Sequence, residues 1–419
     1  MSIDAASGGM RPVPLAHKSL AEYAPVVGDD VIAEIETLAR PLQGVRVAHI
    51  SATAYGGGVA EMLHTLVPLM RSVGLQAEWR IISGSEPFFT ITKSMHNALQ
   101  GKEFTLTQAM RDIYMQANER NAASFENDYD FVVVHDPQPA ALRSLIAGHG
   151  TWIWRCHIDP SDAQPAVWQF LRPFIEAYDA AIFTLPAFVK PDLRVHKVAI
   201  IPPAIDPLSP KNTFLPADEI AEIVALVDVD PLRPTIVQVS RFDPWKDPLG
   251  VIDVYRAVRR EIPGVQLVML GAMAHDDPEG RIFFEQTTRY AGNDPDIHLL
   301  TNAGGSIEVN AFQRHASVIL QKSLREGFGL TVTEGLWKER PVVANNVGGI
   351  SLQIEDGVSG YLVSNTQECI ERALTVLREP EVALQLGRNG REVVRNNFLS
   401  TANLRNYLRL FHELSTARE

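Results

Sequence analysis

The alternation of apolar strands with amphipathic helices limits the possible folds of this chain more than any other feature. In the first half, candidate strands cover 45–50, 75–82, 130–136, 152–157, 180–184 and 198–202. In the second half, they cover 235–240, 265–270, 296–300, 317–321, 341–345 and 360–363. Most are continuous apolar runs separated by helical stretches such as 59–73, a pattern typical of parallel sheets with helices on both faces.

A proline-rich segment, IPPAIDPLSP at 201–210, interrupts this alternation and predicts a boundary between two domains. A chain of 419 residues is also too long for one ordinary core. We therefore expect two doubly wound α/β domains that face a cleft, with this segment as the hinge. The predicted domains are 1–203, completed by a returning helix at about 400–419, and 204–399. Residues 1–20 are predicted to form a loose arm.

Composition excludes several classes of protein. The net charge of −12 disfavours nucleic acid as a partner, although a small anionic ligand needs only a few local cations. The two cysteines, Cys156 and Cys369, suggest neither a disulfide framework nor a zinc site. The chain has no apolar run long enough to span a membrane, and its first residues lack the apolar core of a signal peptide. These features predict a cytoplasmic protein, and a homodimer stays possible.

The segment EGFGLTVTE, from Glu326 to Glu334, carries two carboxylates around a glycine turn that opens a helix. It follows the candidate strand 317–321, so the amides and dipole of the helix start can bind an anion. The two glutamates can then accept hydrogen bonds from hydroxyls on either side of that anion. This arrangement suits a nucleotide sugar. The segment alone leaves open that both glutamates are solvated residues flanking the helix.

A second candidate site is VSRFDPWKDP, at the end of the first strand of the second half. Arg241 and Lys246 lie five residues apart on a loop stiffened by prolines, where α/β folds bind ligands. Two converging cations suit a diphosphate and can stabilise the charge of a leaving group. The alternative is a surface salt bridge with Asp243 or Asp247.

In the first half, a triple glycine, Gly56 to Gly58, follows a strand and opens a helix at about Val59. Glycines let a ligand approach the backbone closely, and the helix start favours an anion. The spacing matches neither the dinucleotide fingerprint nor the P-loop, which disfavours a dehydrogenase. A tight turn without a ligand is the alternative. Gly348 and Gly349 likewise follow a strand and suit either a turn or a ligand contact.

Two further loops at strand ends, HDPQP and RCHIDPSD, carry polar side chains that suit sugar hydroxyls. Asp136, His157 and Asp159 can line an acceptor pocket, whereas His135 is a candidate for a structural role. No metal-ligand cluster or metal-binding DxD is apparent, and Asp276 and Asp277 are interpreted as loop residues. No cofactor or metal is therefore predicted. The GxSxG elbow of acyl-transfer enzymes is also absent.

Taken together, these motifs resemble the family-four retaining glycosyltransferases of the GT-B fold. The stretch EGFGLTVTE matches their pattern of two glutamates separated by seven residues, and Arg241 and Lys246 match their donor-phosphate pair. The stretches VVHDPQPAA, WRCHIDPSD, SRFDPWKDP and QKSLREGFGLTVTE further resemble the glycosyltransferring trehalose synthases within that family. The related retaining trehalose phosphorylases share much of this pattern. The resemblance spans roughly 45–397.

The resemblance implies an enzyme that moves glucose from a nucleotide donor to free glucose, with retained configuration. The implied catalytic residues are Arg241, Lys246, Glu326 and His157. The implied donor-binding residues are Gly57, Gly58, Leu330, Thr331 and Glu334, the last on the ribose. The implied acceptor-binding residues are Asp136 and Asp159. A trehalose phosphorylase, or transfer of a hexose to another small acceptor, stays open.

Overall fold

The computed structural model describes residues 8–271, 278–301 and 305–416, so Asp276 and Asp277 lie outside the described residues. The contacts divide the chain into two α/β units. The N-terminal unit comprises Met1–Ala204 with Ser400–Glu419, and the C-terminal unit comprises Ile205–Leu399. None of the helices in the described ranges is long and apolar enough to cross a membrane.

The N-terminal unit holds seven strands: β1 (Arg11–Pro12), β2 (Arg46–Ser51), β3 (Gln76–Ile81), β4 (Phe131–His135), β5 (Thr151–Arg155), β6 (Ala180–Phe183) and β7 (Lys197–Ile200). The C-terminal unit holds six: β8 (Thr235–Val239), β9 (Gln266–Leu270), β10 (Ile297–Leu300), β11 (Val318–Gln321), β12 (Val342–Asn345) and β13 (Tyr361–Val363). Every strand predicted from the sequence is present, with its bounds shifted by at most two residues.

The α-helices in the described ranges are α1 (Ala24–Val27), α2 (Asp29–Ala39), α3 (Gly58–Ser72), α4 (Glu86–Leu99), α5 (Gln108–Ala123), α6 (Leu142–Leu145), α7 (Pro165–Ile175), α8 (Ala217–Ala225), α9 (Pro248–Glu261), α10 (Pro278–Ala291), α11 (Ser306–His315), α12 (Leu330–Trp337), α13 (Thr366–Arg378), α14 (Pro380–Asn397) and α15 (Ser400–Thr416). The last helix belongs to the N-terminal unit.

The N-terminal sheet has the order β1-β3-β2-β4-β5-β6-β7, and all of its strands are parallel except β1. Strand β1 runs antiparallel to β3 at the sheet edge, so the prediction of a loose arm is wrong for this segment. An edge position suits Pro12, which has no N–H for a second neighbour. Strands β4 and β5 are buried along their whole length, because helices cover both faces of the sheet.

The two faces of the N-terminal sheet differ in chemistry. One face carries residues such as Ile50, Val134 and Trp154, which join a large apolar core with α4, α5 and α7. The other face carries alternate residues of the same strands and meets α15, where Phe411 stacks on Phe131 with ring centroids 4.3 Å apart. Polar side chains of β2, β4 and β5 lie on this second face.

The C-terminal sheet is parallel throughout, with the order β10-β9-β8-β11-β12-β13. The strand order reverses beside β8, since β9 lies on one side and β11 on the other. In the N-terminal sheet the same reversal occurs beside β2, between β3 and β4. Ligands of doubly wound folds bind at such switch points, beyond the carboxyl ends of the strands. The loops that follow β2, β4, β8 and β11 are therefore the candidate ligand-binding positions.

Candidate active site

The switch point of the C-terminal unit brings together the two cations that the sequence singled out. Lys246 lies in a 3-10 turn (Pro244–Lys246) after β8, and its Nζ is 2.5 Å from Glu326 Oε2 in the loop after β11. Arg241 Nη2 is 3.1 Å from Asp243 Oδ2, and the Arg241 side chain is 62% exposed. Both cations therefore face a carboxylate of the site, and of the two alternatives considered, the pair with Asp243 is present.

The loop that carries Glu326 is fixed by contacts to its neighbours. Ser323 donates a hydrogen bond from Oγ to Glu326 Oε2 at 3.2 Å, and Gly349 N donates to Glu326 O at 3.2 Å. A Cβ at Gly349 would lie 2.4 Å from Gly327 O and 2.6 Å from Phe328 Cα. Close backbone packing therefore requires a glycine at position 349. This packing supports the loop that carries Glu326.

Helix α12 begins directly after this loop. Gly329 caps the helix with φ of 85°, a left-handed conformation that favours glycine. Leu330 and Thr331 form the first turn and are half-buried, and Thr331 Oγ1 donates to Gln321 Oε1 at 3.1 Å. The first-turn amides of a helix lack intrahelical partners and favour an anion. The glycine turn and helix start expected from EGFGLTVTE are thus present.

Glu334, the second glutamate, lies inside the C-terminal unit. It is 1% exposed, so it is not a solvated helix-flank residue. Its Oε2 accepts a hydrogen bond from Gln313 Nε2 at 2.9 Å, and Lys211 Nζ lies 3.5 Å from Oε1. Lys338, itself buried, donates to Gln313 Oε1 at 2.8 Å. The carboxylate is therefore held in one orientation by a chain of hydrogen bonds that the sequence reasoning missed.

The glycine loop of the N-terminal unit follows β2, at the other switch point. Helix α3 begins at Gly58, one residue before the predicted start, and Gly57 caps it with φ of 83°. Gly56 also has a positive φ, of 75°. A Cβ at Gly56 or Gly57 would meet no atom within 4 Å, so these glycines are required by backbone conformation and leave open space at the helix start.

Asp136 directly follows β4 and has a left-handed conformation, with φ of 65°. Its Oδ1 accepts a hydrogen bond from the backbone N–H of His157 at 2.9 Å, which joins the loops after β4 and β5. Burial raises the pKa of Asp136 to about 6, against the opposing effects of this hydrogen bond and of Arg155. Asp159 is less central, because its Oδ1 accepts hydrogen bonds from Ser161 of its own loop.

Three imidazole rings form what we term the histidine row: His49, His135 and His157. His49 Nδ1 lies 3.0 Å from His135 Nε2, and His135 Nδ1 lies 2.8 Å from His157 Nε2. His49 and His135 project from the polar face of β2 and β4, and His157 follows β5. The sequence analysis did not predict a role for His49. The polar residues at alternate positions of the neighbouring strands could have indicated one.

The row ends beside two further buried polar groups. Arg155 is fully buried; Nη1 donates to Phe183 O at 3.4 Å, whereas Nε and Nη2 have no hydrogen-bond partner among the described residues. The Tyr407 ring of α15 meets His49 edge-on at 5.9 Å. Across residues 8–271, 278–301 and 305–416, no group of three or more His, Cys, Asp or Glu side chains could hold a metal ion.

The family of the chain follows from comparison with known proteins. Residues 49–190 match the family model "Trehalose synthase, N-terminal domain", and residues 227–393 match "Glycosyl transferases group 1". The trehalose synthase of Thermococcus litoralis is 51% identical over 399 residues, which cover 94% of this chain and 97% of that protein. The chain belongs to the trehalose synthase family. It is a glycosyltransferase-type enzyme, as the resemblance implied.

Other relatives agree with this assignment. The trehalose synthase of Rubrobacter xylanophilus is 52% identical over 406 residues, 95% of this chain and 97% of that protein. A trehalose phosphorylase of Pleurotus pulmonarius is 30% identical over 397 residues, 82% of this chain but 54% of that protein. A sucrose-phosphate synthase from Thermosynechococcus elongatus shares the fold, with a TM-score of 0.69, 18% identity and coverage of 89% of this chain and 100% of that chain. The predicted GT-B fold is confirmed.

The two family models match different units of the chain. The trehalose synthase model begins at His49 and includes Asp136 and His157, whereas the group 1 model includes Lys246 and Glu326. The model that names trehalose synthase therefore matches residues of the N-terminal unit. The three residues of the histidine row all lie within that match.

Proposed function

We propose that the protein transfers glucose from a nucleotide-glucose to free glucose, with retention at the anomeric carbon, and so makes trehalose. The reaction class is that of its family. The identities of the donor and the acceptor are what the proposal adds. The proposed substrates, a nucleotide-glucose and a small sugar, agree with the small anionic ligand that the sequence predicts.

One observation carries the donor assignment: two cations and a helix start lie around the same switch point of the C-terminal unit. Arg241 and Lys246 are each neutralised by a carboxylate, Asp243 and Glu326 respectively. A diphosphate can replace these carboxylates as the anionic partner, assisted by the amides of Leu330 and Thr331. Glu326, once separated from Lys246, is then available as an acceptor for hydroxyls of the transferred sugar.

The ribose is assigned to Glu334. Its Oε2 is occupied by Gln313, but Oε1 has only the longer contact with Lys211, at 3.5 Å. A carboxylate oxygen has two lone pairs, so Oε1 retains capacity for a ribose hydroxyl. The buried network around Gln313 and Lys338 would preserve the carboxylate's orientation during binding.

The residues of the N-terminal unit are assigned to the transferred sugar, the acceptor and the donor phosphates. We assign His157 to the transferred sugar, Asp136 and the remaining oxygen of Asp159 to the acceptor, and Gly57 and Gly58 to the donor phosphates. The positive φ of Gly57 and the open space above it support the last assignment.

The chemistry follows from these roles. The bond between the anomeric carbon and the donor phosphate breaks, and the acceptor oxygen bonds to the same face of that carbon. The acceptor's proton passes to the leaving phosphate oxygen, through an oxocarbenium-like transition state. Arg241 and Lys246 stabilise the charge that develops on the phosphate. Glu326 and Glu334 orient the donor and act neither as nucleophile nor as general base, unlike the carboxylates of retaining glycosidases.

A phosphorylase is the second candidate, because trehalose phosphorylases match most of this chain at about 30% identity. Inorganic phosphate would suit the same cations. The two candidates differ in what they release: a synthase releases a nucleoside diphosphate, whereas a phosphorylase makes glucose 1-phosphate from trehalose and phosphate without any nucleotide.

The deciding experiment mixes the protein with several nucleotide-glucoses and a panel of acceptors that includes glucose, with products identified by NMR. Trehalose and a nucleoside diphosphate are expected in equal amounts. Product only from another acceptor would replace glucose as the acceptor. Absence of transfer from every nucleotide-glucose, with glucose 1-phosphate formed from trehalose and phosphate, would establish the phosphorylase instead.

A further inference from the structure

The histidine row has a direction that its chemistry fixes. Burial lowers the pKa of His49 to about 3, and burial together with neighbouring charge lowers the pKa of His135 and His157 well below the usual value. All three rings are therefore neutral near pH 7. A neutral imidazole has one N–H and one bare nitrogen. Since each contact between rings needs one proton, the protons must all point the same way along the row.

Two arrangements satisfy this condition. In one, His49 donates to His135 and His135 donates to His157, which leaves His157 with its proton on Nδ1. In the other, every donor is reversed and His157 Nδ1 is bare. The first arrangement makes His157 a hydrogen-bond donor at its free nitrogen, and the second makes it an acceptor. The choice depends on the opposite end of the row.

That opposite end is buried inside the N-terminal unit. His49 is fully buried, and its Nε2 has no hydrogen-bond partner among the described residues. The Tyr407 ring meets His49 edge-on with ring centroids 5.9 Å apart, and no acceptor for an N–H at His49 Nε2 lies within hydrogen-bond distance among the described residues. A buried N–H without an acceptor is rarer than an under-satisfied acceptor. His49 Nε2 is therefore the bare nitrogen.

We infer that the histidine row fixes His157 as the tautomer protonated on Nδ1, so that His157 presents a hydrogen-bond donor to its ligand. No contact of the described residues involves His157 Nδ1, and the side chain is half-buried, which leaves this nitrogen accessible. His135 and His49 act as positioning residues that hold the tautomer. If the proposed function is right, the acceptor of this hydrogen bond is an oxygen of the transferred sugar.

The inference can be tested without any substrate, so its failure is separate from failure of the proposed function. In protein labelled with 15N-histidine at about pH 8, above the usual histidine pKa, a long-range 1H–15N correlation spectrum reports each neutral tautomer. The His157 signals are assigned by their loss in His157→Asn. We expect a proton on Nδ1 and a bare Nε2. A bare Nδ1 in the wild-type protein would overturn the inference.

Two ring substitutions of equal size provide a matched comparison. His135→Phe removes the donor to His157, so the His157 signals should move toward those of the exposed His149 and His196. His49→Phe leaves the contact between His135 and His157 in place but removes the end that sets the direction of the row, so His157 should keep this contact and lose its strict preference for a proton on Nδ1. An unchanged His157 in His135→Phe would contradict the inference. If His135→Phe does not fold, the wild-type spectrum alone decides.

Activity gives a second readout. Losing the fixed donor in His135→Phe should reduce kcat/KM by about three- to tenfold, the range for one neutral hydrogen bond. A loss of activity with no change in the tautomer would show that His135 acts only through packing, which would also overturn the inference.

Discussion

The two units keep their polar sites stable in different ways. In the C-terminal unit, Lys246 is paired with Glu326 and Arg241 with Asp243, so opposite charges compensate one another. In the N-terminal unit, the histidine row is neutral because burial lowers its pKa values, and burial raises the pKa of Asp136. One site retains its charges by pairing them, whereas the other reduces them through proton equilibria.

This difference matches the ligands that we propose for each unit. Paired cations are suited to a charged diphosphate, which can take the place of the carboxylates as their anionic partner. A row of neutral histidines beside Asp136 offers hydrogen-bonding groups that are suited to sugar hydroxyls, which carry no charge. The comparison predicts that charge changes in the C-terminal unit affect turnover most, whereas those in the N-terminal unit also change stability.

The largest effect is expected for Lys246→Ala. Removing this cation takes away stabilisation of the leaving phosphate, and kcat/KM should fall by about a hundred- to a thousandfold. Steady-state kinetics with the nucleotide-glucose that the transfer assay selects would measure this loss, and circular dichroism would check that the fold remains. The control is Arg378→Ala, whose pair with Glu261 is about half exposed and should contribute little. Turnover retained in Lys246→Ala would remove this residue from the mechanism.

Asp136→Asn should separate stability from activity in the N-terminal unit. The pKa of Asp136 is raised from 3.8 to about 6, so the folded state binds this proton more strongly than the unfolded state. Its contribution to stability is therefore full below about pH 4 and is lost as the pH rises through about 6. At about 1.4 kcal/mol per pH unit, the loss reaches about 3 kcal/mol.

Asparagine avoids this cost and can still accept the hydrogen bond from His157. Urea unfolding should therefore show a gain in stability for Asp136→Asn that grows between about pH 5 and pH 7, together with lower activity toward the acceptor. Equal stability of the variant and the wild type at both pH values would contradict the prediction that the buried carboxylate of Asp136 destabilises the fold when it is charged. Full activity would instead remove Asp136 from the acceptor site.

Gly349→Ala is expected to have a smaller effect, about 1–3 kcal/mol of lost stability. The new Cβ would overlap the backbone of Gly327 and Phe328, so the loop that carries Glu326 must shift. Donor affinity should fall with it. Gly264→Ala is the matched control, because a Cβ there meets no atom within 4 Å. Unfolding curves and donor KM for both variants measure the difference, and equal values would show that the loop adapts without cost.

Much of this protein is determined by local sequence patterns. The apolar runs fix all but one of the strands, because burial on both faces of a parallel sheet requires continuous apolar residues. Strand β1 was missed because two residues, one of them a proline, carry no such pattern. The glycine turns that open α3 and α12 were also predictable, since positive φ favours glycine.

The tertiary structure alone decided which side chains meet. Gln313 of α11 reaches Glu334 of α12 across 21 residues, and His49 joins His135 across 86 residues. Sequence spacing cannot show such contacts, because strand order and helix packing place those residues together. The sequence by itself therefore determined the sheets, the loops at their ends and the type of chemistry. Only the folded chain decided how each charge is paired or neutralised, since pairing and burial depend on neighbours brought from distant segments.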